Sequence, residues 1–260
     1  MESETPLNLQ QAVADSHQDQ IIELGSFADF VASFPLAEDR LYNAVFERNG
    51  DLVKTQKPRF AVANLEKILS STFEVSAVSG FDRMSLRDLS RQTGMSMGAI
   101  YSCISKKEDI AVMIADIVKL SNSYAIQHGM QGDTAWSQIE RAVRYHLYAS
   151  TVLQAWYFFL YFETRSLPEQ EQLESKQIEL DSIDAIEKAI VNGIVSGEFN
   201  KIDARMVANT IVVLLEDWYL KPWKTRVFEG KNKAISKQEE QIKQYCRSLL
   251  ELVKTLVAKD

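Results

Sequence analysis

From about residue 59 to the end of the chain, apolar residues return every three or four positions and nowhere alternate with a period of two. That rhythm lays one apolar stripe along a helix and is incompatible with a half-buried strand. Only 10 Gly and 5 Pro interrupt the 260 residues, too few for the turns of a β fold. The expected fold class is therefore all-α. The first core helix spans about Arg59 to Ser79, with Val62, Leu65, Ile68, Leu69, Thr72 and Val75 on one stripe and Gly80 as its stop. Short helices follow to about Ile104, and a long helix then runs from near Lys106 to the break at Gly129 and Gly132. Further helices are predicted from Thr134 to Ala149, Thr151 to Arg165 and Pro168 to Val195. Another runs from Asp203 to about Phe228, loosened at Pro222, and the last from Ser236 to Ala258.

Residues 1–57 differ in character. The first 20 are polar, whereas Phe27, Phe30, Phe34, Leu41, Tyr42 and Phe46 are too many large apolar groups for a disordered tail. Two short helices are expected there, Ser26–Ser33 and Leu36–Arg48, with Phe27, Phe30 and Phe34 docked on the body of the protein.

The hydrophobic fraction of 46% and charged fraction of 25% fit a globular chain with room for two small cores. No apolar run reaches about 18 residues, so no membrane helix is expected. The start lacks the basic and apolar regions of a signal peptide, and two cysteines make no disulfide framework, so the expected location is cytoplasmic. The three histidines are scattered without metal spacing, and no nucleophile elbow, P-loop or dinucleotide motif is present. We expect no enzyme, no cofactor and no metal. The net charge is −7, but residues 57–110 hold eight basic and six acidic side chains, leaving −9 for the remainder. A mildly basic block beside an acidic body is compatible with contact to nucleic acid.

That block contains Ser85-Leu-Arg-Asp-Leu-Ser-Arg-Gln-Thr-Gly94-Met-Ser96-Met-Gly-Ala-Ile-Tyr101. Ser85 can cap a short helix in which Leu86 and Leu89 face inward while Arg87 and Arg91 face out. Gly94 suits a tight left-handed turn, Ser96 can cap a second helix, and Ile100 returns to the core. The small Gly98 and Ala99 at its leading edge would let that second helix enter a major groove closely. Any helical hairpin, however, can carry such a glycine and such caps.

The wider run from Ile68 to Ile110 resembles the TetR family of transcriptional regulators. The likeness rests on Gly80-Phe81-Asp82, Met84-Ser85-Leu86-Arg87-Asp88-Leu89, Gly94-Met95-Ser96, Gly98-Ala99-Ile100-Tyr101 and Lys107-Glu108-Asp109-Ile110. It implies a helix-turn-helix DNA-binding domain at 58–105 and a helical ligand-binding and dimerisation domain at 106–260, after an extension at 1–57. It further implies a DNA-contacting recognition helix from Ser96, with Met97, Ala99 and Ser102 toward base edges, the small Gly98 at the same surface and Tyr101 on a phosphate. Lys107, at the positive end of the next helix, would meet the backbone too, with Ser85 on a phosphate, Arg87 on a phosphate or a flanking base, and Lys54, Lys57 and Arg59 trailing along the backbone or reaching a minor groove. Three positions depart from the family pattern: Ile104 for an aromatic residue, Cys103 for His or Tyr, and Ser76 for a buried Phe.

In the second half, Trp156-Tyr-Phe-Phe-Leu-Tyr-Phe162 covers both faces of one helix with aromatic rings. It reads first as core and dimer contact, and second as lining for an apolar ligand. The candidate ligand residues are Tyr145, His146, Tyr148, Trp156, Phe159, Phe162, Glu163 and Arg165, with His146 read as a structural histidine before a proton switch. The patterns Glu163-Thr-Arg165…Pro168, Ile194…Phe199 and Trp218…Trp223 are similar to fatty-acid-metabolism members of the family, whose ligand is a long acyl-CoA. Arg141, Arg144, Arg165 and Lys176 would then be available for its phosphates. The resemblance thus implies a homodimer that binds palindromic double-stranded operator DNA, represses, and is released by a small apolar effector, without a membrane partner. A regulator of efflux and a helical interaction module without DNA binding are the alternatives.

Overall fold

A computed structural model describes residues 24–55, 57–225 and 235–258. They form twelve α-helices, one short 3-10 turn and, among the described residues, no strand. In chain order these are α1 (Phe27–Ser33), α2 (Asp39–Arg48), α3 (Pro58–Ser79), α4 (Leu86–Thr93), α5 (Met97–Tyr101) and α6 (Glu108–Gly129). Then come α7 (Ala135–Val152), α8 (Gln154–Glu163), α9 (Glu169–Ser196), α10 (Ala204–Leu220), α11 (Pro222–Thr225) and α12 (Ile235–Val257). The all-α expectation holds. No helix among the described residues is long and apolar enough to cross a membrane.

The chain divides into two units, one built on Ser33–Met113 and the other on residues 24–32 with 114–258. Helix α6 belongs to both, its first turns in one and its remainder in the other. The first unit packs α2 against α3, and α3 against α4 and α5. Its buried side chains include Leu65, Ile68, Leu69, Phe81, Met84, Leu89, Ile100 and Ile104. Fully burying each such group contributes about 1.5–3 kcal/mol. The departures at Cys103 and Ile104 are both buried, as core positions should be.

The described part of the expected extension, 1–57, divides its large apolar side chains between the two units. Leu36, Leu41, Val45 and Val53 are buried, and α2 lies along α3 in the first unit. Helix α1 joins the second unit instead. Phe27 lies 5.4 Å from the Tyr148 ring, and Phe30 lies 5.4 Å from Tyr145 and 5.3 Å from Tyr148. Tyr148 also donates its hydroxyl to the Gly25 carbonyl (3.3 Å). Phe27 and Phe30 therefore dock on the body as expected, whereas Phe34 falls in the other unit. Residues 1–23 lie outside the described residues.

In the second unit α9 packs on α10 and α7, and α12 covers α7 and α10. The Thr134 cap is present: its hydroxyl accepts from the Ser137 amide (3.1 Å), and Glu198 accepts from the free amides of Ala135 and Trp136 (both 2.9 Å). Two predicted boundaries move. The aromatic helix starts at Gln154, since Thr151 and Val152 complete α7 and the chain bends at Leu153. The Asp203-capped helix ends at Leu220, because Pro222 has no amide to continue it and opens a single turn of its own. Its predicted end at Phe228 lies outside the described residues.

Candidate nucleic-acid interface and ligand cavity

The geometry between Ser85 and Ser102 follows from three local devices. Ser85 Oγ accepts from the Asp88 amide (3.2 Å) while Asp88 accepts from the Ser85 amide (2.8 Å), a reciprocal box that closes the start of α4. These bonds, with Arg91 beside it, hold the Asp88 carboxyl down at about 2. Gly94 ends α4 in the left-handed region (φ +69°, ψ 8°), which only glycine adopts without cost. Thr93, Ser90 and Met95 then staple the turn, with Ser90 Oγ donating to the Met95 carbonyl (2.7 Å). Ser96 Oγ accepts from the Ala99 amide (3.2 Å) and starts α5.

Of α5, Ile100 is turned fully into the core. Ser96, Gly98 and Tyr101 are exposed, and Met97, Ala99 and Ser102 are partly so. Ser85 and Arg87 are also exposed. The Thr55 amide donates to the Ser102 carbonyl (3.0 Å), which ties the segment carrying exposed Lys54 and Lys57 to the end of α5. A short capped helix with small residues, an exposed tyrosine and tethered lysines can lie against a polyanionic surface.

Lys107 sits differently from the expectation of a phosphate ligand. Its ammonium donates to the carbonyls of Phe81 (3.0 Å) and Asp82 (2.8 Å) and lies 5.0 Å from the centroid of the Phe81 ring. It clamps the loop between α3 and α4. The positive end of α6 is likewise engaged, because buried Asp109 accepts from the amides of Ser105 (2.7 Å) and Lys106 (3.0 Å).

In the second unit two small chambers meet at His146, Ser182 and Val212. One, of about 30 Å³, is apolar, lined by Ile126, Met130, Ala142, Ile186 and Leu215 among others, none of them exposed. The other, of about 70 Å³, is polar at its rim, with Asn122, Tyr157, Tyr161, Glu179, Glu216 and Tyr219. Tyr161 and Glu179 are exposed and so mark its open end. Burial, with Glu179 of the same sign nearby, pushes the Glu216 carboxyl up to about 7. Burial lowers His146 to about 4, which keeps it neutral, and its Nε2 has no hydrogen-bond partner. The rings of His146, Tyr157 and Tyr219 pack on one another at 5.7, 6.0 and 5.2 Å. The Tyr157 hydroxyl donates to Ser121 (3.0 Å), and Ser182 donates to Asn122 Oδ1 (2.6 Å).

Among the predicted ligand residues, the structure brings only His146 to these chambers. Tyr145 and Tyr148 are buried against α1, and Tyr148 also borders an open groove with Arg144 and α12. Trp156 and Phe159 are core residues, and Phe162 is exposed against Phe158 and Tyr161. Glu163 is partly exposed and Arg165 exposed, neither on a chamber. The bases considered for phosphates are not on the chambers either: Arg141 donates to the His128 carbonyl (3.1 and 3.2 Å), and Arg144 pairs with Glu140 (2.9 Å). The aromatic run is thus chiefly core because both faces of α8 are needed for packing. Sequence reasoning missed Glu179, Glu216 and Tyr219, and held Tyr157 only as a member of the aromatic run. A legible signal existed for Glu216: it lies four residues after Val212 and three before Tyr219, on the buried face of α10.

No family model matches the sequence, and no curated protein is significantly similar to it. Solved structures are similar in fold. A tetR-family regulatory protein from Rhodococcus RHA1 shares 21% identity over 73% of this chain and 96% of its own, with a TM-score of 0.59. FadR from Bacillus subtilis, in complex with stearoyl-CoA, shares 17% over 72% and 96%, with a TM-score of 0.53. AibR, in complex with isovaleryl coenzyme A and operator DNA, shares 12% over 73% and 97%, with a TM-score of 0.57. With its helix-turn-helix head and helical second unit, the chain has the all-α fold of the TetR-family transcriptional regulators.

Proposed function

We propose that the protein is a ligand-responsive transcriptional regulator that binds a two-fold symmetric DNA operator as a homodimer, represses, and is released when an effector enters the chambers at His146. The observation that carries this reading is the capped, glycine-turned pair α4–α5, whose second helix keeps its small and hydroxyl-bearing side chains on the surface while Ile100 alone anchors it. Tyr101, Arg87, Ser85, Lys54 and Lys57 supply the phosphate contacts, and Met97, Ala99 and Ser102 meet base edges. Lys107 supports this surface from behind by holding the Phe81–Asp82 loop.

Dimerisation is supported by an apolar face on the second unit. Leu180, Val191 and Val195 of α9 and Met206 and Val213 of α10 are between 42% and 82% exposed, and their spacings place each set on one side of its helix. Arg205 binds Asp184 and Glu187 across the same two helices and holds them as one surface. A second copy of that surface would bury it in a four-helix interface. Two heads on one dimer then match two half-sites about one DNA turn apart.

The chambers are far below the roughly 300–1,000 Å³ of a ligand site, so an effector must spread the helices that line them. Val118, Asn122, Ala125 and Ile126 of α6 are among the lining residues, and the same helix continues into the first unit. Differential binding to the spread and unspread states is what couples effector to operator, typically by about 1–3 kcal/mol. The acyl-CoA complexes of FadR and AibR support an effector of metabolic origin.

The test is selection of bound duplexes from a random pool by the full-length protein. Enrichment of an inverted repeat, with affinity falling steeply as salt rises, is the expected result. Enrichment of no sequence, or binding indifferent to salt, overturns the reading.

A further inference from the structure

The lining of the chambers has a chemical bias of its own. Among the described residues, no lysine or arginine lines either chamber. The charged groups present are two carboxylates, Glu179 at the open end and Glu216 further in. No ion-pair partner accompanies Glu216 among the described residues, and Glu179, of the same sign, repels it. His146 lines both chambers and stays neutral, and its Nε2 is closed off from solvent without a hydrogen-bond partner. Tyr157 and Tyr219 form a wall with His146, and Tyr161 stands at the rim. Beyond this polar wall lies the apolar chamber of Ile126, Met130, Ile186 and Leu215.

A buried polar group without a partner and a partly buried carboxyl without a counter-charge, Glu216, each cost free energy. A phosphate or carboxylate ligand would raise that cost, since it would meet Glu179 at the rim and find no basic side chain inside. A donor carrying positive charge would lower it: its N–H groups match carboxylate oxygens and a neutral imidazole nitrogen, and its charge is attracted to tyrosine faces.

We infer that the effector is an organic cation, a protonated amine on an apolar body, with its nitrogen between Glu179 and Glu216 against the His146–Tyr157–Tyr219 wall and its apolar part in the neighbouring chamber. This inference rests on the proposal that the chambers hold an effector. It names the chemical class only: the amine is recognised by charge and the body by size.

Isothermal titration of the full-length protein in the absence of DNA tests it, with 2-phenylethylamine, its neutral isostere 2-phenylethanol, the anion phenylacetate, and isovaleryl coenzyme A as probes. The amine is expected to bind about tenfold or more tighter than the alcohol, a ratio typical of a hydrogen bond to a charged group, and the two anions more weakly still. Glu179→Gln with Glu216→Gln should bring amine and alcohol to within about twofold, and this variant keeps size and shape while removing repulsion, so folding is preserved. An anion binding as tightly as the amine, an amine preference that survives the double substitution, or no binding by any probe would each overturn the inference. Because no DNA is present, such a failure leaves the duplex selection untouched, and a failed selection leaves this titration interpretable.

Discussion

Replacing Glu216 with glutamine isolates one ionisation with a readable sign. The Glu216 carboxyl is pushed up to about 7 by burial and by Glu179. A glutamate in the unfolded chain ionises near 4.3, about the ordinary value. A raised carboxylate therefore contributes stability that is complete below the unfolded value and is lost as pH rises through the folded one. At about 1.4 kcal/mol per tenfold in proton affinity the whole displacement would be roughly 3–4 kcal/mol. Glu216 is only partly buried, and solvent screening reduces this to about 1–2 kcal/mol. The groups that face it are Glu179 from α9, Tyr157 and Tyr161 from α8, His146 from α7 and Tyr219 from its own helix. His146, lowered to about 4, acts in the opposite sense, losing stability as pH falls from about 6.5, but it is common to both proteins and cancels in their difference. Glu216→Gln should therefore match the wild type at pH 4.5 and exceed it by about 1–2 kcal/mol at pH 8. Chemical denaturation at intervals across that range measures the difference. A gap that is constant with pH, or one in which the variant becomes the weaker protein as pH rises, refutes the assigned burial and like-charge repulsion.

Gly94→Ala should lower stability by about 1–2 kcal/mol, the cost of a side chain at φ +69°, because no atom lies within 4 Å of an added Cβ; an unchanged melting temperature contradicts the left-handed turn. Tyr101→Ala should weaken operator binding by about 1–3 kcal/mol in a gel-shift titration without lowering stability, whereas Lys107→Ala should lower stability as well, since it frees the Phe81–Asp82 loop. Equal effects of the two substitutions on folding count against the clamp. Val195→Asp together with Val213→Asp should convert the dimer to a monomer in sedimentation, and an intact dimer refutes the assigned interface.

The head was legible because its determinants are local. Ser85, Gly94 and Ser96 act within four residues of themselves, through caps and one left-handed turn, and each appears in the structure where the spacing placed it. Lys107 was not legible in the same way. Its partners lie 25 and 26 residues earlier, and a basic residue at the start of a helix looks the same in sequence whether it faces solvent or its own chain. The cavity shows the same limit more strongly. Rings were sought where they were densest, in α8, but density forced those rings into packing on both faces. The chamber walls instead gather single residues from α6, α7, α8, α9 and α10; His146 was singled out among them in advance, and Glu216, on an apolar face of α10, was legible but missed.

A neutral imidazole and an uncompensated carboxyl beside chambers this small also bear on how such a regulator can switch. If the chambers were already open, a ligand would fill them without moving anything and would bind both conformations equally, which shifts no equilibrium. Chambers of about 30 and 70 Å³ cannot admit even a small aromatic amine without displacing α6, α9 or α10. Helices transmit such displacement along their length because their interiors are packed too densely to deform continuously. Of the displaced elements, α6 is the one that carries the chain on into the head, where Ile110 and Met113 are core residues. In the proposed regulator the small volume would thus make the effector discriminate between conformations, and the Glu216 carboxyl, without a counter-charge, would set the chemistry that supplies the free energy to open it.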